Sequence, residues 1–152
     1  MTMKHATRIV FFSAALLLLG GCANQELIAD VDPSTDLSAL NSFYVARLAA
    51  DERGVEQLIA DELNAMGKTA TAGAAQTPPS PVDAVVTYED SWMWDITMYM
   101  LELTVYFEDP ETEYRFATGR SYRTSLVRKS PEEMVKEVLV KMFDEQGKEK
   151  SQ

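Results

Sequence analysis

A chain of 152 residues with 24 acidic and 14 basic side chains, a formal net charge of -10 and 46% hydrophobic residues suits one domain with one core. Its one histidine, His5, and one cysteine, Cys22, both stand near the N-terminus, so the rest of the chain cannot assemble a Ser-His-Asp or Cys-His catalytic site, a Cys/His zinc site or an internal disulfide. The negative charge also argues against a nucleic-acid partner, whose phosphates it would repel.

At the N-terminus, Lys4 and Arg8 precede an apolar run from Ile9 to Leu19. This run is shorter than the about 20 residues of a spanning helix and has the form of a secretory signal. It ends at Leu19-Gly20-Gly21-Cys22, which resembles a bacterial lipobox. The resemblance implies cleavage before Cys22, a diacylglycerol on its thiol and a fatty acyl chain such as palmitate on its new amine. Several such chains make a firm anchor, at about 0.8 kcal/mol for each buried methylene. A buried cysteine closing an apolar helix is the plainer alternative; basic flank, run length and cysteine position together favour the lipoprotein. Aspartate after the cysteine resembles an inner-membrane retention signal, so Ala23 favours the outer membrane, with the protein in the periplasm. Loss of residues 1–21 removes Lys4, His5 and Arg8, and leaves a mature chain without histidine.

Residues 22–41 read as the lipidated cysteine and a polar tether, with a turn at Asp32-Pro33-Ser34-Thr35-Asp36 and a short helical spacing at Leu37 and Leu40. Residues 42–48 predict a strand. Val55, Leu58, Ile59, Leu63 and Met66 then recur at helical spacing. Asp51 or Glu52 stands near the helix start, where the dipole favours an acid, and Gly67 stands at the C-terminal cap position. Gly54 reads as a weak point costing about 1 kcal/mol against alanine. Residues 68–72 predict a short strand, and the prolines of 73–81 a loop.

From Val82 the apolar period becomes two. A strand over 82–92 and a longer one over 96–109 are predicted, with a reversal near Ser91 to Asp95. Tyr99, Leu101, Leu103, Val105 and Phe107 are expected to face the core; Met98, Met100, Glu102, Thr104 and Tyr106 fall on the other side. Pro110 marks a turn, and Tyr114 to Arg128 a last strand with Gly119 as a bulge. Ser130, Pro131 and Glu133 form a capping box ahead of a buried stripe of Met134, Val135, Val138, Leu139 and Met142.

The element order β-α-β-β-β-β-α predicts an α+β two-layer sandwich over residues 42–147, with a frayed tail at 148–152. Its mainly antiparallel sheet has four to five strands, and two helices cover one face. The uncovered face is expected to carry Met98, Met100 and Tyr106 with Trp92 or Trp94, as a contact patch for a protein partner; ordinary core, or cover by the tether, is the alternative. Neither phosphate loops nor EF-hand spacing occur, and neither a cofactor nor a metal site is predicted.

The stretches DVDPSTDLSALNSFYV, LNAMGKT, VDAVVTYEDSW and FATGRSYRTSLVRKSPEEMVKEVLVKMF resemble the small bacterial envelope lipoproteins grouped as the DUF4136 family. The resemblance implies an envelope α+β domain and brings no catalytic residues with it. The Trp- and Met-rich SWMWDITMYM departs from it. The expected function is a lipid-anchored, non-catalytic binding or assembly component of the periplasm. The alternative is a glycan-directed envelope enzyme built on a pair of carboxylates.

Overall fold

The computed structural model describes residues 24–149. Cys22, the signal sequence and the last three residues lie outside the described residues. The elements are β1 (Gln25–Val31), β2 (Ser42–Ala46), α1 (Val55–Ala65), β3 (Thr69–Gly73), β4 (Ala84–Asp95), β5 (Thr97–Glu108), β6 (Arg115–Arg123) and α2 (Pro131–Glu149). They form an α+β sandwich. One six-stranded sheet, ordered β1-β6-β5-β4-β2-β3, carries both helices on one face.

β1, β6, β5 and β4 are antiparallel neighbours. β2 runs parallel to β3, reached by the α1 crossover, and to β4, reached from β3 by a second crossover through residues 74–83. Period two puts Phe43, Val45, Val86, Leu103, Val105 and Phe107 on the helix side, where they meet Val55, Ile59 and Leu63 of α1 and the predicted stripe of α2 in one core. Phe107 is its aromatic hub, with ring centroids 5.3 Å from Phe43, 6.0 Å from Phe143 and 6.5 Å from Phe116.

Four details correct the sequence reading. The sheet has six strands because part of the expected tether is β1, paired with β6 from Gln25↔Arg123 to Val31↔Ala117. It supplies the backbone partners that β6 lacks on that side. In the same segment the expected helical spacing at Leu37 and Leu40 does form, as a short 3-10 turn from Leu37 to Ala39 with Leu37 fully buried. Gly54 stands outside α1, at its N-cap with φ +75°, so no helical position is weakened. Gly119 keeps regular register opposite Val105 and Ala29; the irregularity in β6 falls at Phe116 instead. A Cβ at Gly119 would lie 2.7 Å from Met142 and Val138, so glycine there permits the close approach of α2. Finally, α2 continues to Glu149, past the expected end of the domain.

Candidate functional site

The β4–β5 hairpin extends beyond the rest of the sheet. Its last register pairs are Trp92↔Met100, Met93↔Tyr99, Trp94↔Met98 and Asp95↔Thr97. The reversal centres on Ile96, whose φ of +60° is a left-handed conformation that β-branched residues rarely adopt. Between Ser91↔Glu102 and Trp92↔Met100 the register shifts, leaving Leu101 without a partner. This bulge inverts the facing of β5 beyond it.

Of the five residues expected in one contact patch, the register sets Trp92 beside Met100 and Trp94 beside Met98, on the helix side of the sheet and with unequal exposure, while Tyr106 stands apart on the other face. Met100 crosses to the helix side and is fully buried beside Leu103. Trp92 packs on the rim of the same core; its indole N–H donates to Asp90 Oδ2 at 2.5 Å, and the Arg53 guanidinium lies 4.2 Å over its ring. Trp94 and Met98 stay 69% and 46% exposed. Tyr106 lies in the middle of the opposite face, half-buried beneath Arg115 at 4.0 Å. Residues the sequence reading missed complete the tip: Ile96 at 84% exposure, Met93 at 46% and, on the neighbouring 3-10 turn, Leu126 at 75%. The available signal was an apolar residue at a hairpin reversal, where Gly or Asn relieves strain.

The N-terminus of β1 reaches the same end of the sheet. The Asn24 carbonyl accepts from the Thr124 backbone N–H at 3.3 Å and its hydroxyl at 3.1 Å. Next to it, Arg123 is buried and donates to Glu137 Oε1 at 3.0 Å and Oε2 at 2.6 Å, and to the Gln25 side chain. Lys129 and the Ser121 hydroxyl also donate to Glu137. Burial alone would raise the Glu137 pKa, but these donors hold it below the ordinary glutamate value. Arg128 Nη1 donates to Thr97 Oγ1 at 3.0 Å and its guanidinium lies over Tyr99.

The sheet face opposite the helices is polar across β1, β6 and β5, in place of the expected Met-rich surface, while at the β2 end Tyr44, Ala46 and Val85 form a small buried apolar cluster against Val82 of the loop before β4. Arg120 bridges Glu102, at 2.7 Å, and Glu26. Arg115 pairs with Glu108 at 2.8 Å, and Glu108 also accepts from Thr87 at 2.9 Å. A cleft of about 490 Å³ lies here, lined by Gln76, Thr87, Glu89, Tyr106, Glu108 and Arg115. Burial, then the Glu89 charge, push the Tyr106 hydroxyl pKa up.

Asp51 has a structural task at the same end as the hairpin. Its carboxylate accepts from the backbone N–H groups of Arg53, Gly54 and Val55 at 2.6, 3.1 and 2.8 Å, and so caps α1. Among the described residues no group of three or more His, Cys, Asp or Glu is placed to hold a metal ion, and no helix is long and apolar enough to cross a membrane.

No protein-family model and no curated protein matches the chain. Among solved structures, the PelC dodecamer from Paraburkholderia phytofirmans, seen in two crystal forms, is similar at TM-score 0.57 and 12% identity, over 78% of this chain and 97% of that one. A PDZ domain protein from Parabacteroides distasonis matches at TM-score 0.46 and 11% identity, over 89% of this chain and 39% of that one. At such identities the PelC likeness defines the fold class alone.

Proposed function

We propose that the chain is a lipid-anchored component of a bacterial cell envelope that works by binding or assembly rather than by chemistry. Cys22 attaches it to the outer membrane and the domain faces the periplasm, in keeping with its resemblance to the DUF4136 lipoproteins. The observation that carries this reading is the open part of the sheet face opposite the helices, across β1, β6 and β5, whose charged side chains are already fixed in the Glu26–Arg120–Glu102 and Glu108–Arg115 pairs. Side chains held in place by neighbours lose little freedom on contact, which favours a docking surface. A second copy of the chain or another envelope protein is the partner; the PelC dodecamers are a precedent for the first.

Photocrosslinking in intact cells, from a photoreactive residue at Ile28 or Tyr106, tests the proposal. Discrete adducts, either of doubled mass or with one recurring protein, are expected. Absence of any adduct from this face in a folded, membrane-bound chain overturns it. Release of soluble sugar from envelope glycan, abolished by Glu108→Gln, would instead establish the carboxylate enzyme.

A further inference from the structure

We propose that the tip of the β4–β5 hairpin is a second membrane contact, with Trp94, Ile96 and Met98 seated among the headgroups of a phospholipid bilayer beside the lipid on Cys22. This inference rests on the anchor proposed above and gives the domain an orientation on it.

β1 and the hairpin share one end of the sheet, because Gln25 lies opposite Arg123, and the adjacent Tyr122 lies opposite Glu102. Cys22 stands three residues before Gln25, which spans at most about 10 Å of extended chain. The hairpin continues four register pairs beyond the Glu102 level, about 13 Å at strand rise. The acylated cysteine and the hairpin tip therefore reach similar distances from the same edge. A bilayer that holds the acyl chains is brought against the tip.

Between Trp92 and Leu101 the chain carries one acid, Asp95, although it has 24 acids in all. Trp, Met and Ile on a projecting tip suit an interface where apolar bodies meet headgroups. A β-branched side chain at a left-handed reversal is costly to the fold, and a contact made by that side chain explains its presence. Arg53 and Arg128 flank the hairpin, and neither has a carboxylate partner among the described residues. They are available to anionic headgroups. Asp32, Asp83, Asp109 and Glu111 sit at the opposite end of the strands; at the hairpin end Asp51 is taken up by the α1 cap, and Glu52 and Asp95 are the exposed acids that Arg53 and Arg128 offset.

The test uses the full chain, processed in cells and reconstituted in vesicles of phosphatidylethanolamine and phosphatidylglycerol with brominated acyl chains. Its two tryptophans allow separate readings: Trp92→Phe leaves Trp94 as the reporter, and Trp94→Phe, at an exposed site, provides the same answer by subtraction from the unaltered chain. Mass spectrometry of the N-terminus and flotation with the vesicles read the anchor; bromine quenching reads the hairpin. The expected result is a floating chain whose Trp94 emission shifts to the blue and falls about twofold, with Ile96→Asp removing both changes but not flotation. A floating chain whose Trp94 stays as open to aqueous acrylamide as before overturns the hairpin contact and leaves the anchor standing. A blue shift without bromine quenching overturns it in favour of a protein covering the tip. A chain without lipid that does not float, with Trp94 unquenched, overturns both.

Discussion

The Tyr88 hydroxyl donates to Asp51 Oδ2 at 2.6 Å and accepts from the Leu48 N–H at 3.2 Å, tying β4 to the loop that starts α1. Burial would raise the Asp51 pKa; the Tyr88 hydroxyl, the Arg53 amide, the adjoining Glu56 side chain and the Val55 amide outweigh it and bring the value down to about 2. A folded value below the about 3.9 of free aspartate stabilises the protein above about pH 4, and the contribution is lost as pH falls through about 2. Asp51→Ala is expected to destabilise by about 2–4 kcal/mol near neutral pH, through the lost cap and the stranded Tyr88 hydroxyl. Urea unfolding of both proteins should show the gap narrowing between about pH 4 and about pH 2. A gap independent of pH in that window would contradict the assignment.

Met98 and Met100 are two residues apart and should respond differently. Met100→Ala removes a fully buried side chain and is expected to cost about 2–5 kcal/mol. Met98→Ala, at a half-exposed site, should stay within about 0.5 kcal/mol. Equal losses in denaturant unfolding would mean that the bulge at Leu101 is misplaced.

Gly119→Ala sets a methyl group against Met142 and Val138 and is expected to cost about 1–3 kcal/mol. Combining it with Met142→Ala, which opens space at the same point, should recover part of the loss. A thermal-unfolding double-mutant cycle with no coupling would place the two residues apart.

Glu137→Gln leaves the buried Arg123 without its charge partner and is expected to destabilise by about 3 kcal/mol. Replacing both, as Arg123→Met with Glu137→Leu, should restore most of that stability, because no uncompensated charge remains. Calorimetry of the three proteins decides it, and a double variant weaker than the single one would count against the pairing.

Much of this architecture was legible because local signals and tertiary packing agree. The capping box forms as read: Ser130 N–H donates to Glu133 Oε2 at 2.9 Å, and Glu133 N–H donates to Ser130 Oγ at 3.2 Å. The five apolar residues that follow are all fully buried, and Gly67 takes its left-handed cap at φ +84°. β1 escaped because an edge strand with one wet face shows only Leu27, Ala29 and Val31 as its apolar half, among acids that look like tether. The alternation was present, though short. The hairpin misled for another reason. Tyr99, Met100 and Leu101 are consecutive apolar residues, so a one-residue slip in facing leaves no trace in their pattern. The contact patch inherited that slip, which is why Met100 is sealed while Ile96, treated only as the start of a strand, stands outermost.

β1 carries a further consequence once Cys22 is taken as the anchor. A load applied through the lipid enters the domain at Gln25 and runs along the strand axis. The seven register pairs between β1 and β6 then resist in shear, all together, instead of peeling open one after another. The Arg123 side chain, fastened to Gln25 on one side and Glu137 on the other, sits at the loaded end like a peg. The edge strand that closes the sheet is thus also a tensile joint, with a strength set by ladder length rather than by the depth of the core.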